Sequence, residues 1–208
     1  IKAFTFSPIS ENTYVLYNDA GKAIIVDPGC YFPAEEETLK NCLIDNGLTP
    51  VYLLNTHCHL DHVFGNKWVH ETYGLELYLH PNEAPMLELA PVSGERWGLP
   101  FQNYTGPLHF LNDGDTVILD DLEIQVILAP GHSPGSICFY MPEQGDLIGG
   151  DVLFRGSIGR TDLPGGDSET LLTSIREKLW VLPDETVVYS GHGIKTTIGY
   201  EKRNNPFL

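Results

Sequence analysis

The sequence is poor in basic residues, with 12 lysines and arginines against 28 aspartates and glutamates and a formal net charge of −16. A surface of this sign repels phosphate backbones, so nucleic-acid binding is not expected. Bound divalent cations would offset part of the charge locally. No apolar run approaches the roughly 20 residues of a membrane span, so no membrane partner is expected either.

Cysteine is also scarce, and the chain contains no C-x-x-C pair. Its thiols are scattered over Cys30, Cys42, Cys58 and Cys138. This pattern is typical of reduced, mostly buried cysteines and predicts a cytoplasmic protein. The first residues show no basic stretch followed by an apolar one, so no signal peptide is expected.

Two common catalytic signatures are missing. The segment Gly131-His132-Ser133-Pro134-Gly135 has the spacing of a serine nucleophile elbow, but its serine adjoins a candidate metal ligand, and we interpret it as an imitation. The pair Gly149-Gly150 and the segment Pro164-Gly165-Gly166 are too short for a phosphate-binding loop. The chemistry must therefore come from other residues.

The composition, 42% hydrophobic and 11% aromatic over 208 residues, predicts one globular domain spanning residues 1–208. Helical spacing predicts helices at Ala34–Asn46, Gly65–Tyr73, Pro81–Leu89 and Glu169–Val181. Short apolar runs predict the strands Ile1–Phe6, Asn12–Tyr17, Lys22–Val26, Val51–Leu54, Leu75–Leu79, Thr116–Leu119, Leu122–Leu128, Ser136–Tyr140, Asp146–Ile148 and Thr186–Tyr189.

One long stretch shows little periodicity. Ala90 to Pro107 holds three prolines and three aromatic residues and is interpreted as a loop. Loops of this length are uncommon unless they cover something, so either a lid or a packed surface excursion is expected.

The most informative stretch is Asn55-Thr56-His57-Cys58-His59-Leu60-Asp61-His62, which follows the predicted strand Val51–Leu54. It brings four candidate metal ligands together within six residues. Imidazole and carboxylate ligands suit zinc, iron or manganese. Strand alternation predicts that His57, His59 and Asp61 project to one side as the strand ends, with Cys58 facing away as a core residue. The alternative is a set of polar residues around a capped helix.

Three further candidate ligands also follow apolar strands: His132, Asp151 and His192. The full inventory fits two metal ions. One site would use His57, His59 and His132, and the other Asp61, His62 and His192. Asp151 would lend an oxygen to each ion, and Asp151 and Asp61 would take part in catalysis by a hydroxide shared between the ions.

Other residues have weaker settings. His70, His80 and His109 lack companion ligands and are expected to be surface or structural histidines. Asp27, at the end of a predicted strand, is either an ordinary turn residue or a carboxylate that orients a metal-bound histidine.

The motifs T-H-C-H-L-D-H, G-H-S-P-G, G-D-V-L-F and S-G-H-G resemble those of the metallo-β-lactamase superfamily, and within it the glyoxalase II-like branch. The segment Gly150–Asp162, the stretch Lys195–Gly199 and the ending Asn205-Pro206-Phe207-Leu208 are similar to short, single-domain bacterial hydroxyacylglutathione hydrolases. The resemblance implies an α/β fold, a four-layer αββα sandwich with metals at one edge of its two sheets. It also implies the ligand assignment given above.

The resemblance implies hydrolysis of a small acyl thioester, possibly glutathione-derived, with two divalent ions, zinc first and iron or manganese as alternatives. Aspartate at position 151, where β-lactamases usually carry cysteine or serine, argues against antibiotic hydrolysis. Arg160 falls where the family binds a glutathione carboxylate, but Ile194 replaces an expected tyrosine. The sequence ends before the C-terminal helical domain with which full-length glyoxalase II binds glutathione, so no such domain is expected.

Three alternatives remain at this level. Persulfide dioxygenases of the same branch hold a single iron and share a G-R-T-D segment like Gly159–Asp162. Lactone or other ester hydrolysis would use the same core chemistry. A non-catalytic metal module would need closed coordination, which the surplus of ligands disfavours. Arg155, Arg160 and Lys195 either hold an anionic substrate or are ordinary surface charges.

Overall fold

The first of two six-stranded sheets is built from the N-terminal half of the chain. The computed structural model describes residues 1–208. The strands lie in chain order, antiparallel from β1 to β3 and parallel from β3 to β6. They are β1 (Lys2–Phe6), β2 (Glu11–Tyr17), β3 (Lys22–Val26), β4 (Thr49–Leu54), β5 (Leu77–Leu79) and β6 (Leu108–Phe110).

The second sheet comes from the C-terminal half, in the order β14-β13-β10-β9-β8-β7. Its only parallel pair is β10 with β13. A short hairpin, β11 with β12, follows β10. The strands are β7 (Thr116–Leu119), β8 (Leu122–Leu128), β9 (Ile137–Met141), β10 (Asp146–Gly150), β11 (Leu153–Phe154), β12 (Ser157–Ile158), β13 (Val187–Ser190) and β14 (Thr196–Thr197).

Helices flank both sheets because parallel strands need crossover connections. A 3₁₀ turn at Pro81–Glu83 leads directly into α4, and a π-helical turn at Ile175–Leu179 extends α5. The helices are α1 (Pro33–Asp45), α2 (Leu60–Val63), α3 (Asn66–Tyr73), α4 (Ala84–Trp97), α5 (Ser168–Ser174) and α6 (Ile198–Asn204).

Three buried apolar clusters define the layers. One packs Leu39 of α1 and Val69 of α3 against the first sheet. The second lies between the two sheets and includes Phe139, which is fully buried. The third packs Leu171 of α5 and Ile198 of α6 against the second sheet. Helix, sheet, sheet and helix follow in that order, which confirms the predicted αββα sandwich. None of the helices is both long and apolar enough to cross a membrane.

The expected loop at Ala90–Pro107 is wrong in its first half, because α4 continues to Trp97. Pro91 lies inside this helix, where it cannot donate the backbone hydrogen bond that the Leu87 carbonyl would accept. The side-chain amide of Asn103 donates to that carbonyl instead, at 2.6 Å. The part of the stretch that remains irregular therefore supports a helix.

The predicted boundaries shift elsewhere. The helix predicted at Pro81–Leu89 is the 3₁₀ turn and the first part of α4, and the helix predicted at Glu169–Val181 changes to π-helical spacing at Ile175. Strand β6 and helix α6 escaped prediction. The hairpin between β7 and β8 was predicted, and Asp120 at its turn has a φ of +56°.

Candidate metal centre

The candidate ligands lie where strands of both sheets end at one edge of the sandwich. His57 and His59 follow β4, His132 follows β8, Asp151 follows β10 and His192 follows β13. Asp61 and His62 belong to α2. The structure therefore brings all seven predicted ligands together, although they come from four separate parts of the chain.

The explanation by strand alternation is wrong. Strand β4 ends at Leu54, and α2 begins at Leu60 with His59 as its N-cap residue. The irregular turn between them directs His57 and His59, while one helical turn carries Asp61 and His62. Cys58 is 1% exposed and packs in the core on the outer side of the first sheet, so it does face into the core as expected.

Three histidines form the first group of candidate ligands. Nε2 of His132 lies 2.8 Å from Nδ1 of His59 and 3.2 Å from Nε2 of His57. The three ring atoms lie within 4.8 Å of one another. Three imidazoles at this separation match the number of protein ligands in a catalytic site that keeps one position open.

The second group consists of Asp61, His62 and His192, with ligand atoms again within 4.8 Å of one another. Oδ2 of Asp61 lies 3.1 Å from Nε2 of His192 and 3.8 Å from Nε2 of His62. A carboxylate with two imidazoles suits zinc, iron or manganese.

Asp151 lies between the two groups. Its Oδ1 is 3.4 Å from Nε2 of His62 in the second group. Its Oδ2 is 3.5 Å from Nε2 of His132 in the first group and 3.6 Å from Nε2 of His192 in the second. The carboxylate is thus positioned to lend oxygens to both groups.

The donor atoms fit bound cations. Nε2 of His62 and Oδ1 of Asp151 are buried, and neither has a hydrogen-bond partner. A buried polar atom left without a partner costs about 1–3 kcal/mol. A cation between these atoms would satisfy both, so the residues present fit the divalent ions that the sequence motifs imply.

In three of these imidazoles Nε2 faces the other candidate ligands, and the second ring nitrogen, Nδ1, faces an oxygen acceptor. The Nδ1 position of His62 faces Oδ2 of Asp27 at 3.0 Å. That of His132 faces the Arg160 carbonyl at 2.7 Å, and that of His192 faces the Ser10 carbonyl at 3.0 Å. If each Nδ1–H donates to its oxygen, the tautomer is fixed and Nε2 is free to bind a metal.

Asp27 orients the centre rather than serving it as a ligand. Its Oδ1 accepts from the Thr56 amide at 2.7 Å and from the Asn55 side chain at 3.1 Å. Its Oδ2 accepts from the Thr56 hydroxyl at 2.5 Å in addition to facing His62. Asp27, His57 and His62 also have ligand atoms close to one another, but both oxygens of Asp27 are already occupied. With a φ of +48°, Asp27 is also a turn residue, so both alternatives hold.

Burial and neighbouring charges separate the pKa values of the two groups. Burial lowers the pKa of His59 to about 3 and also lowers the pKa values of His57 and His132, so all three imidazoles are neutral at pH 7. Burial also acts to lower the pKa of His62, but nearby carboxylates, Asp151 foremost, raise it well above its usual value. A metal ion in the second group therefore competes with a proton.

Glu83 is a residue that the sequence reasoning missed. Its buried carboxylate accepts a hydrogen bond from the Cys58 amide at 2.8 Å. Cys58 lies between the candidate ligands His57 and His59. It also accepts from the Ser133 hydroxyl at 2.6 Å and the Gly135 amide at 2.7 Å, in the loop that carries His132. One carboxylate thus ties together the two loops that carry the first group. The sequence showed Glu83 only as a residue in the first turn of the helix predicted at Pro81–Leu89.

Glu11 was also missed. It is fully buried, and its Oε1 has no hydrogen-bond partner and lies 3.9 Å from Nδ1 of His62. Burial raises the pKa of this carboxyl well above its usual value. Gly29 leaves room for it, since a Cβ there would come within 1.9 Å of Oε2. No local pattern distinguishes this glutamate from the many on the surface.

The basic residues singled out in the sequence are already engaged. The Arg160 guanidinium lines the pocket beside the ligands but bonds Asp162 through Nε and Nη2, each at 2.7 Å. Arg155 stacks on Tyr200, and the Lys195 ammonium lies 5.6 Å from the centre of the Tyr189 ring.

Ile194 and the remaining histidines contribute no ligand atom to the centre. Ile194 is 68% exposed. Nδ1 of His70 faces the Leu75 carbonyl, His80 accepts from the Asn82 amide, and Nε2 of His109 faces Glu76.

Comparison with known proteins gives consistent results over nearly the whole chain. The sequence profile of the metallo-beta-lactamase superfamily matches residues 7–192. Hydroxyacylglutathione hydrolase GloC of Haemophilus influenzae is 38% identical, over 100% of this chain and 97% of its own length. The crystal structure of the BLEG-1 B3 metallo-beta-lactamase is 42% identical, with a TM-score of 0.91 over 100% of this chain and 98% of that one. The crystal structure of TTHA1623 in a di-iron-bound form is 40% identical, with a TM-score of 0.91 over the full length of both chains.

Proposed function

The chain belongs to the metallo-beta-lactamase superfamily of metal-dependent hydrolases, and on that premise we propose that it hydrolyses acyl thioesters. The observation that carries the proposal is the position of Asp151, with one oxygen 3.4 Å from His62 and the other 3.5 Å from His132. The similarity to GloC supports a thioester as the substrate.

The residues proposed to hold the metal are the two groups together with Asp151. The first ion would be held by His57, His59 and His132, the second by Asp61, His62 and His192. Two divalent ions, when bound, would supply an acidified water as the nucleophile and would polarise the substrate carbonyl. We propose zinc; iron is the alternative that the di-iron form of TTHA1623 supports, and manganese also suits these ligands.

The protein's own residues contribute orientation and proton acceptance. The pKa of Asp61 is held below its usual value by His62 and His192, despite burial, so its carboxylate is ionised at neutral pH. It lies in the pocket that the ligands share and accepts a hydrogen bond from the attacking water. Water adds to the carbonyl carbon, the C–S bond breaks, and the two water protons pass to the departing thiolate and to solvent, so that a carboxylate and a thiol leave. A thiolate departs readily, so no strong general acid is needed.

A more specific proposal is that glutathione forms the thiol part of the substrate. The similarity to GloC supports glutathione as the thiol. Ile194 is exposed and Arg160 is paired with Asp162, so these two residues give little support for glutathione binding. We propose that the single domain 1–208 recognises its substrate within the sandwich. Its four free, mostly buried cysteines support the proposal of a cytoplasmic location.

Hydrolysis of β-lactams is a second candidate, favoured by the 42% identity to the BLEG-1 B3 metallo-beta-lactamase. Aspartate at position 151, where β-lactamases usually carry cysteine or serine, argues in the other direction. The two activities use the same attack of water on a carbonyl and differ in the leaving group, so a direct comparison of substrates separates them.

The test combines metal analysis of the purified protein with a substrate panel: a hydroxyacylglutathione, a glutathione persulfide with oxygen uptake recorded, a β-lactam and a lactone. We expect two ions per chain and preferential thioester cleavage. A single iron with oxygen uptake on the persulfide would establish the dioxygenase instead. Preferential cleavage of the β-lactam or the lactone would also overturn the proposal.

Asp151→Asn tests the residue that carries the proposal. Because the variant removes the charge shared by the two groups, we expect loss of metal from at least one of them and a fall in thioester cleavage of about a hundredfold or more. Asp146→Asn, at the opposite end of the same strand, is the matched control. An Asp151→Asn protein with two bound ions and full activity would exclude the proposed role.

A further inference from the structure

One face of α4 forms an apolar stripe beside the candidate metal centre. Its members follow helical spacing and line the same pocket as His59, Asp61 and His132. Several are unusually exposed for apolar side chains: Leu89 is 50% and Trp97 56% exposed. The α4 stripe consists of Met86, Leu89, Ala90, Ser93 and Trp97, with Val92 at its edge.

The stripe has a defined direction relative to the centre. Its N-terminal end follows Glu83, whose carboxylate bonds the Cys58 and Gly135 amides in the two ligand-bearing loops. Helix α4 also packs against α2, which carries Asp61 and His62. With a rise of about 1.5 Å per residue, Arg96, which lies seven positions after Leu89, is about 10 Å further along the helix axis. The stripe therefore leads along the pocket, away from the ligand loops.

Arg96 lies at the far end of the stripe and lines the same pocket. The structure gives its guanidinium no salt bridge and no hydrogen bond, whereas Arg160 in the same pocket is paired with Asp162. A free arginine is notable in a chain with a net charge of −16, where acidic partners are plentiful. Its donors are available for an anionic group of a bound molecule.

We propose that the α4 stripe and Arg96 select the substrate: an acyl thioester with an aliphatic segment of medium length that ends in a carboxylate. The aliphatic segment lies on the stripe, and the carboxylate pairs with Arg96. This rests on the proposed thioester hydrolysis and deepens it. A thioester whose acyl and thiol parts are both short would leave the stripe and Arg96 without a contact, so it is the poorer substrate.

The test measures kcat/KM on two matched series. In the acyl series, acetyl, hexanoyl and adipoyl thioesters of N-acetylcysteamine differ in chain length and then in terminal charge. In the thiol series, acetyl thioesters of hexanethiol and 6-mercaptohexanoate place the same aliphatic chain and carboxylate on the other side of the C–S bond. We expect a preference for the longer, charged member in one series, and that series identifies which part of the substrate lies on α4.

Two variants test whether the substrate preference arises from the α4 stripe and Arg96. Leu89→Ser should reduce the preference for hexanoyl over acetyl, or its equivalent in the thiol series, by about three- to tenfold. Arg96→Gln should reduce kcat/KM for the charged member by about tenfold, mainly through KM, and leave no preference over the uncharged one. Glu88→Gln and Glu95→Gln alter exposed positions of α4 that do not line the pocket and should change neither preference.

Binding of the acid products gives a readout that is independent of turnover. Adipate and hexanoate are titrated against the wild-type protein and followed by the fluorescence of Trp97, with Trp97→Phe as the reference for the other two tryptophans. We expect tighter binding of adipate, and Arg96→Gln should remove the difference. If adipate binding depends on Arg96 but no thioester is cleaved, the α4 stripe and Arg96 are confirmed as a binding site and the proposed function is wrong. If thioesters are cleaved with preferences that neither variant alters, the proposed function stands and this inference is wrong.

Discussion

Oδ2 of Asp27 lies 3.0 Å from Nδ1 of His62, although the two residues are 35 positions apart in the chain. Asp27 directly follows β3 and His62 lies in α2, so the contact joins the first sheet to the helix that carries two of the three members of the second ligand group. The same carboxylate accepts from Thr56, just before His57. One buried side chain thereby holds both ends of the histidine-rich segment in place.

Asp27→Asn should weaken metal binding at the group that contains His62 by about 10- to 100-fold, because the amide cannot accept all the hydrogen bonds that the carboxylate accepts. Asparagine tolerates the positive φ, so the turn itself is retained. Competition against a chelator measures the affinity. Asp120→Asn, at a hairpin turn with a φ of +56°, is the matched control. Unchanged binding of both ions in Asp27→Asn would contradict the orienting role.

Glu83→Gln should destabilise the protein by about 1–3 kcal/mol, because its side-chain amide would face at least one of three backbone or hydroxyl donors that now meet a carboxylate oxygen. Denaturant unfolding measures the loss. Since Glu83 joins the loops of His59 and His132, metal affinity at the first group should also fall. Glu88→Gln, on the exposed side of α4, should do neither, and a Glu83→Gln protein as stable as the wild type would refute the assignment.

Gly191→Ala should displace Asp151, because a Cβ at position 191 would come within 2.1 Å of its Oδ1 and within 2.8 Å of Cε1 of His62. A shift of about 1 Å in such a group can cost about a hundredfold in rate. We expect loss of bound metal and of hydrolysis, with circular dichroism showing the fold retained. Gly149→Ala should be much milder, because its Cβ would meet a Val188 methyl group at 3.1 Å and the Tyr189 carbonyl at an ordinary contact distance of 3.8 Å.

Asn103→Ala should destabilise α4, since it removes the donor that satisfies the Leu87 carbonyl in place of the missing amide of Pro91. The expected loss is about 1–2 kcal/mol in the free energy of unfolding. The double variant Asn103→Ala/Pro91→Ala restores a backbone donor and should recover part of the loss. If the two substitutions act additively, the compensation is not as described.

Only one cysteine should react quickly with a thiol reagent in the native protein. Cys42 is partly exposed, whereas Cys30, Cys58 and Cys138 are buried. Burial raises the pKa of the Cys138 thiol to about 12 and that of Cys58 well above its usual value, so neither forms a thiolate near neutral pH. Cys42→Ser should abolish the fast phase. Fast labelling of Cys58 would contradict its interpretation as a core residue rather than a nucleophile.

The candidate ligands could be predicted because their pattern is local. Four of them lie within six residues, and each of the other three follows an apolar run at a strand end. Ends of neighbouring strands meet at a sheet edge, so the grouping followed without knowledge of long-range contacts. The same reasoning misjudged the local backbone between Leu54 and Leu60, because an irregular turn has no periodicity to read.

The length of α4 could not be predicted, although its apolar residues recur at helical intervals. Pro91 indicated a break, and by local rules that indication was correct. The helix continues because Asn103, 12 positions later, supplies a donor from another part of the chain. The few residues on either side of Pro91 do not include Asn103, so the local sequence gives no sign of this donor.

By itself the sequence determined the residue types and the strand ends that carry them. The resemblance of its motifs to a known family then implied the αββα sandwich with a cluster of imidazoles and carboxylates at its edge. Tertiary structure alone decided which side chains those groups meet: Asp27 against His62, Glu83 between two loops, Arg160 with Asp162, and Arg96 without a partner. The physical reason is the distance along the chain over which each effect acts. Hydrophobic periodicity and turn chemistry act over a few residues, whereas the partners of buried charges are chosen by packing between segments far apart in the chain.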